Sequence, residues 1–347
     1  MTKIGILGNF GGGIIGGQVT KTHELSKALE KQFGKISVAD VNKNKRNVLR
    51  LIRQLWSLLR DTDIIFVILA SPGYFRLLPI LLCMNVFFKC DMYEIVTGGV
   101  RYQYIQGKKI RLWMEKKIKK IYVETNYMVM QYEKLGLCNV ECLPNFKEIE
   151  PISEEELAEG FNWNGTLRLC TFSRIDRLKG VDDAIKIISM INQKCGKNIA
   201  HLDIIGPIDT EYQKEFESIL NSVDEKNVCY CGKIDGKIAV SVLKKYDALL
   251  FPTNWSTEGF PGSLIDAMAA GLPVLANAKE NFKDIVIEGY NGYLITETKR
   301  EDQYISIIYS WYKDRETLFT MKRNALSEVG KYKPQNVLKQ IWKELEA

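Results

Sequence analysis

Histidine is nearly absent from this chain of 347 residues, which carries only His23 and His201. Long hydrophobic runs are missing too. The longest, Leu77 to Phe88, is interrupted by Pro79 and Asn85 and is too short to cross a bilayer. No signal-peptide pattern is present, since Met1-Thr2-Lys3 runs directly into the strand-like Ile4–Leu7. No repeat of solenoid period is evident. These absences lead to the expectation of a cytoplasmic protein. The cysteines fit that compartment: there are eight, scattered mostly among apolar neighbours. Cys229-Tyr230-Cys231 has strand spacing that puts both thiols on one face. No second pair at zinc-like spacing accompanies it, so reduced, mostly buried thiols are expected, with no metal.

What is present is an ordinary globular composition, 46% hydrophobic and 26% charged, in a chain long enough for two domains. Its charge is unevenly spread. Residues 1–150 carry 23 Lys and Arg against 13 Asp and Glu, and the remainder carries 25 against 29. Short β-rich runs alternate with helical patterns throughout, as in parallel βαβ units. Strands are expected near 4–7, 36–41, 64–69, 91–96, 120–123 and 140–142. Further strands are expected near 167–172, 202–205, 228–231, 248–251 and 274–276. The acid-rich stretch after Pro144-Asn145-Phe146 reads as a linker, 151–166, between domains 1–150 and 167–330. Doubly wound domains carry their ligands at the carboxyl ends of the strands, so the expected fold class is α/β.

Thr253 to Val274 is the most informative stretch, TNWSTEGFPGSLIDAMAAGLPV. It places Glu258 in a loop and Asp266 about a turn inside the helix that follows. A helix N-terminus offers unpaired N–H groups and positive dipole, which suit a phosphate. The segment resembles the E-x7-E signature of retaining glycosyltransferases of family 4, with Asp266 standing where a second Glu is usual. Ser173-Arg174 and Lys179-Gly180 resemble the diphosphate-binding Arg/Lys pair of that family. Gly206-Pro207, 230-YCGK-233 and 246-YDALLFPT-253 follow its pattern as well.

The resemblance implies a GT-B fold, two Rossmann-like domains facing across a cleft, with a final helix (331–347) returning to the first. It implies that Arg174 and Lys179 stabilise a departing diphosphate and that Glu258 holds donor-sugar hydroxyls. Asp266 would hold the ribose. Gly16, Gly17, Gly206, Lys233, Ile234, Gly259, Phe260, Gly262, Ser263 and Leu264 complete the donor site. Gln18, Lys21, Gly98 and Gly99 fall near the acceptor. No metal and no other cofactor is expected. Asp61-Thr62-Asp63 precedes a strand and so lies at the wrong end for a metal-bound ligand.

The implied function is transfer of a sugar from a nucleotide-sugar to a lipid-linked or oligosaccharide acceptor, of the kind used in bacterial surface polysaccharides. Two alternatives share the fold, a nucleotide-sugar 2-epimerase and a non-catalytic sugar- or membrane-binding protein. The basic first half adds an expected peripheral contact with an anionic membrane at the cytoplasmic side. Residues 43–60 place Val48, Leu51, Leu55, Leu58 and Leu59 at helical spacing among arginines that include Arg46. Residues 101–120 add more cations among Tyr102, Tyr104 and Trp113. No nucleic-acid-binding module is recognised.

Overall fold

The computed structural model describes residues 2–11, 16–43, 47–224 and 226–346. The chain forms two compact units. The first comprises residues 1–148, Thr257–Pro261 and Pro334–Ala347; the second comprises Ile149–Ser256 and Gly262–Lys333.

The first unit is built on β1 (Ile4–Gly8), β2 (Ser37–Asp40), β3 (Ile64–Ile68), β4 (Asp91–Ile95), β5 (Lys120–Val123) and β6 (Val140–Cys142). They form one parallel sheet in the order β2-β1-β3-β4-β5-β6. Strands covered on both faces read as continuous apolar runs, and β1 and β3 are buried at every position. Alternate β3 residues feed opposite cores. Ile64, Phe66 and Ile68 pack on one side, Ile65 and Val67 on the other. The chain's last turns cover the first of these faces through Val337, Leu338 and Ile341. Glu344 anchors them by accepting hydrogen bonds from Tyr122 (2.9 Å) and Tyr93 (3.1 Å).

The second unit holds β7 (Leu167–Phe172), β8 (Ala200–Ile205), β9 (Val228–Tyr230), β10 (Ala248–Phe251), β11 (Val274–Asn277) and β12 (Gly292–Ile295). Their order is β12-β11-β10-β7-β8-β9, again parallel. The helix Val181–Cys195 buries Val181, Ala184, Ile185, Ile188 and Ile191 against this sheet. That is the three- and four-residue spacing of one helical face.

Several expectations differ from the fold. Strand β12 was not anticipated, because Gly292–Ile295 is a four-residue edge strand straight after a turn. The expected linker contains the helix Glu154–Gly160, closed by a reciprocal capping box between Ser153 and Glu156. Its Leu157 packs with Ile152 and Leu326. Of the cysteines, only Cys90 and Cys170 are buried, while Cys83, Cys138, Cys229 and Cys231 are exposed. The helix containing Leu77–Phe88 begins at Ser71, and its 18 residues are apolar and long enough to cross a membrane by length and composition. It nevertheless puts Tyr74, Leu78, Leu81 and Met84 into the core. In the helix Val48–Asp61, Val48 points outward while Leu55, Leu58 and Leu59 are buried. Arg46 lies outside the described residues.

Arg101 is not a surface cation. It is 1% exposed, pairs with Glu94, bonds the Leu69 carbonyl and lies 4.6 Å over the Tyr74 ring. Tyr74 in turn donates to Glu115 at 3.3 Å. Burial pushes the Glu115 carboxyl up to about 7, against the opposing pull of Arg101 and the Tyr74 hydrogen bond.

Candidate active site

In the second sheet, β7 and β10 are neighbours whose following segments run to opposite sides of the strand order. Open α/β sheets bind ligands at such a switch point, outside the carboxyl ends of the strands. Residues Ser173 to Gly180 follow β7, and Pro252 to Trp255 follow β10. The two segments are stitched together. Asn254 N and Thr253 Oγ1 both donate to the Leu178 carbonyl, at 2.8 and 3.3 Å. Asp176 caps the turn Arg177–Lys179 by accepting from Leu178 N at 2.9 Å. Gly180 has φ +72°, and a side chain there would overlap the Pro252 carbonyl. Glycine meets both demands at once. From the far side, Asn277 Nδ2 donates to the Pro252 carbonyl at 2.8 Å, and Tyr304 holds Asn277.

This scaffold brings two cations onto one indole. The Arg174 guanidinium lies 5.4 Å and the Lys179 ammonium 5.2 Å from the Trp255 ring centroid. Both are at cation–π distance. Arg174 is about half exposed, its Nε 3.1 Å from Asp176 and its Nη1 3.8 Å from Asp209. Trp255 was missed by the sequence reading. The signal for it was its place four residues past the end of β10, inside the stretch already singled out.

The remaining expected residues of this unit follow the carboxyl ends of β8, β9 and β10 in the same sheet. Gly206 follows β8 and packs so tightly that a side chain would overlap the Ser173 carbonyl. Its N–H donates to the Gly232 carbonyl at 3.0 Å, leading into exposed Lys233 and half-buried Ile234. Gly262, Ser263 and Leu264 form the first turn of the helix Gly262–Ala269. Pro261, just before it, has no N–H to offer. Asp266 sits one turn inside that helix and is 4% exposed.

Glu258, Gly259 and Phe260 belong to the first unit. There a second residue absent from the expected set organises the loops. Glu124, directly after β5, accepts from Lys21 Nζ (3.1 Å) with one oxygen. With the other it accepts from the backbone N–H groups of Gly98 (3.1 Å) and Phe260 (3.2 Å). Gly99 N donates to the Thr257 carbonyl at 2.9 Å, and Asn145 Nδ2 to the Phe260 carbonyl at 2.9 Å. A side chain at Gly259 would run into Glu124 and Gly98. Lys21 is therefore turned inward, 3% exposed, onto Glu124. Gln18 donates to the Ile68 carbonyl at 3.2 Å. Gly16 caps the helix Gly17–Phe33, and around both glycines the described residues leave open space. Gly12 and Gly13 of the same glycine-rich loop lie outside the described residues.

Residues 153–328, half of the chain, match the family Glycosyl transferases group 1. The chain belongs to the group 1 glycosyl transferases. An uncharacterized glycosyltransferase of Methanocaldococcus jannaschii is 27% identical over 158 residues, covering 45% of this chain and 38% of that protein. The amylovoran biosynthesis glycosyltransferase AmsK of Erwinia amylovora is 27% identical over 139 residues, covering 38% of this chain and 32% of AmsK. The chain thus spans well under half the length of these curated relatives. Among solved structures, HepE of Anabaena with UDP and glucose matches 100% of both chains at TM-score 0.74 and 14% identity. Sucrose-phosphate synthase of Thermosynechococcus elongatus matches 99% of both at TM-score 0.75 and 15% identity. At such identities the likeness concerns fold, and the fold is GT-B.

In this group 1 glycosyl transferase the matched stretch contains Arg174, Lys179, Trp255, Glu258 and Asp266. Lys21, Gly98 and Glu124 lie outside it. The Asp61-Thr62-Asp63 triplet is engaged locally: Asp61 pairs with Arg60, and Asp63 accepts from Lys3 N at 2.8 Å.

Proposed function

We propose that the protein transfers a sugar, with retention at the anomeric carbon, from a nucleoside-diphosphate sugar to a lipid-linked or oligosaccharide acceptor in surface-polysaccharide synthesis, as a family 4 enzyme. The observation that carries this reading is the pairing of Arg174 and Lys179 over Trp255 at the β7–β10 switch point. As the anomeric bond lengthens, negative charge grows on the departing diphosphate. Fixed cations aimed at that charge stabilise the transition state more than the ground state. They fill the role that a metal plays in other transferases, so the reaction proposed is metal-independent. N–H groups of Gly262, Ser263 and Leu264 add donors for the phosphate oxygens.

Glu258 is assigned to the sugar hydroxyls and Asp266 to the ribose. Lys233 and Ile234 are assigned to the base, Gly16 and Gly17 to the donor phosphates. Gln18, Gly98 and Gly99 are placed on the acceptor side; Lys21 serves it through Glu124. No enzymatic nucleophile is assigned, because departure and attack on the same face need none. HepE was solved with UDP and with UDP-glucose, which makes a uridine nucleotide the first donor to try.

A peripheral contact with the cytoplasmic face of an anionic membrane completes the proposal. Leu49, Trp56 and Phe87 are exposed, with Trp56 6.4 Å from Phe87 and 4.8 Å from Phe88. Lys43, Arg50 and Arg53 line a shallow basic recess beside them. Apolar side chains ringed by cations suit an anionic lipid surface.

The test is a panel of radiolabelled nucleotide-sugars with membrane extract as acceptor. Label moving into lipid-extractable or polymeric product is the expected result. Change of the nucleotide-sugar with no acceptor present would identify an epimerase instead, and binding without turnover a non-catalytic protein.

A further inference from the structure

The strip of side chains on one face of the β8–β9 pair has no part in the transfer chemistry. Asp203 of β8 stands opposite Cys229 of β9 in the parallel register. Cys231 lies two residues on from Cys229, just past the end of β9 and on the same face. The sequence separates Asp203 too widely from the two cysteines for a zinc pattern to be read, but the sheet brings the three side by side.

Donor atoms of Asp203, Cys229 and Cys231 all lie within 4.8 Å of one another. His201 lies outside that group, its Nδ1 2.9 Å from the Lys226 carbonyl and its Nε2 2.9 Å from Asp203 Oδ1, so that it steadies the carboxylate from one side. Tyr246 fixes the carboxylate from the other side, donating to Oδ2 at 2.6 Å.

We propose that Cys229, Cys231 and Asp203 form a binding site for a thiophilic divalent cation of the zinc class. Two sulfurs and a carboxylate oxygen, with water as the fourth ligand, are a donor set suited to tetrahedral zinc. Metal–ligand lengths of about 2.0–2.3 Å give donor–donor edges of roughly 3.3–3.8 Å, within reach of small side-chain turns from this arrangement. Each thiol passes its proton to solvent as its sulfur takes the metal, so binding strengthens as pH rises. The strip is open to entry, since β9 is an edge strand and both cysteines are exposed. Cys231 is followed directly by Gly232, Lys233 and Ile234, so a bound ion pins the root of that loop. This site does not depend on the proposed transfer reaction.

The test uses the full-length, reduced, chelator-treated protein titrated with Co2+ and then with Zn2+. One equivalent of Co2+ is expected to bind with a thiolate-to-cobalt charge-transfer band and tetrahedral visible bands, displaced by Zn2+. Cys229→Ser/Cys231→Ser should abolish the charge-transfer band, and Asp203→Asn should weaken binding at least tenfold. On the unaltered chain, Zn2+ should protect Cys229 and Cys231 from iodoacetamide while exposed Cys83 and Cys138 stay reactive. A Co2+ spectrum unchanged in the double variant would overturn the site. So would equal alkylation of all four cysteines with and without Zn2+.

Discussion

Lys21 Nζ lies 3.1 Å from Glu124 Oε1, and both side chains are almost closed to water, at 3% and 6% exposure. The carboxylate's other oxygen holds the backbone of Gly98 and Phe260. One side chain thus joins the helix after the glycine-rich loop, the loop after β4 and the segment bearing Glu258. Removing it leaves a buried ammonium and two backbone donors without their acceptor. Glu124→Ala is expected to destabilise the first unit by about 3–5 kcal/mol, and Glu124→Gln by less because the amide oxygen still accepts. Urea unfolding followed by tryptophan fluorescence checks this. Equal midpoints for all three proteins would show that the pair carries no such weight.

Gly180 is expected to tolerate no side chain. Gly180→Ala must relieve both a positive φ and an overlap with the Pro252 carbonyl, which displaces the adjoining Lys179 turn. Strain of this kind costs about 1–3 kcal/mol, so UDP affinity measured by calorimetry should fall roughly 5- to 100-fold. Wild-type affinity in a folded Gly180→Ala protein would show that the turn does not meet the diphosphate.

Glu115 predicts a pH signature in the first unit. Its folded carboxyl titrates near 7, pushed up by burial, against the ordinary 4.5 when unfolded. Between those values the folded chain holds a proton that the unfolded chain has released. Stability therefore falls as pH rises through that window, and the penalty is absent below 4.5. Relative to Glu115→Gln, the wild type should lose on the order of 3 kcal/mol between pH 4.5 and 7. Parallel stability curves for the two proteins would place the folded carboxyl at its ordinary value.

Much of this architecture was legible in the sequence because parallel strands buried on both faces are continuous apolar runs, as in 64-IIFVI-68 and 248-ALLF-251. The Arg174, Lys179 and Glu258 motifs were legible because their residue types and spacing are local. Glu124 and Trp255 were not, since their importance lies in partners 26 to 136 residues away or in a ring shared by two cations. The capping box hid inside an acid-rich run whose composition reads as linker. Arg101 looked like one more surface cation; its partner Glu94 is only seven residues earlier, but that both are buried shows only once β4 and the short helix after it have packed.

Membrane contact is separable from catalysis. Trp56→Ser/Phe87→Ser should lower binding to anionic phosphatidylserine vesicles roughly 10- to 100-fold, from the apolar surface no longer buried. Raising salt should weaken what remains. Pelleting that ignores both the substitutions and the salt would contradict the proposed contact.

The central claim is that Arg174 and Lys179 stabilise the departing diphosphate. Its most direct test is kcat/KM for transfer from the donor that the panel identifies, in Arg174→Ala and Lys179→Ala proteins with unchanged thermal midpoints. Each is predicted to lose about 100- to 1,000-fold, mainly in kcat, as expected when one transition-state donor is removed. Transfer near the wild-type rate in either folded variant would contradict the account.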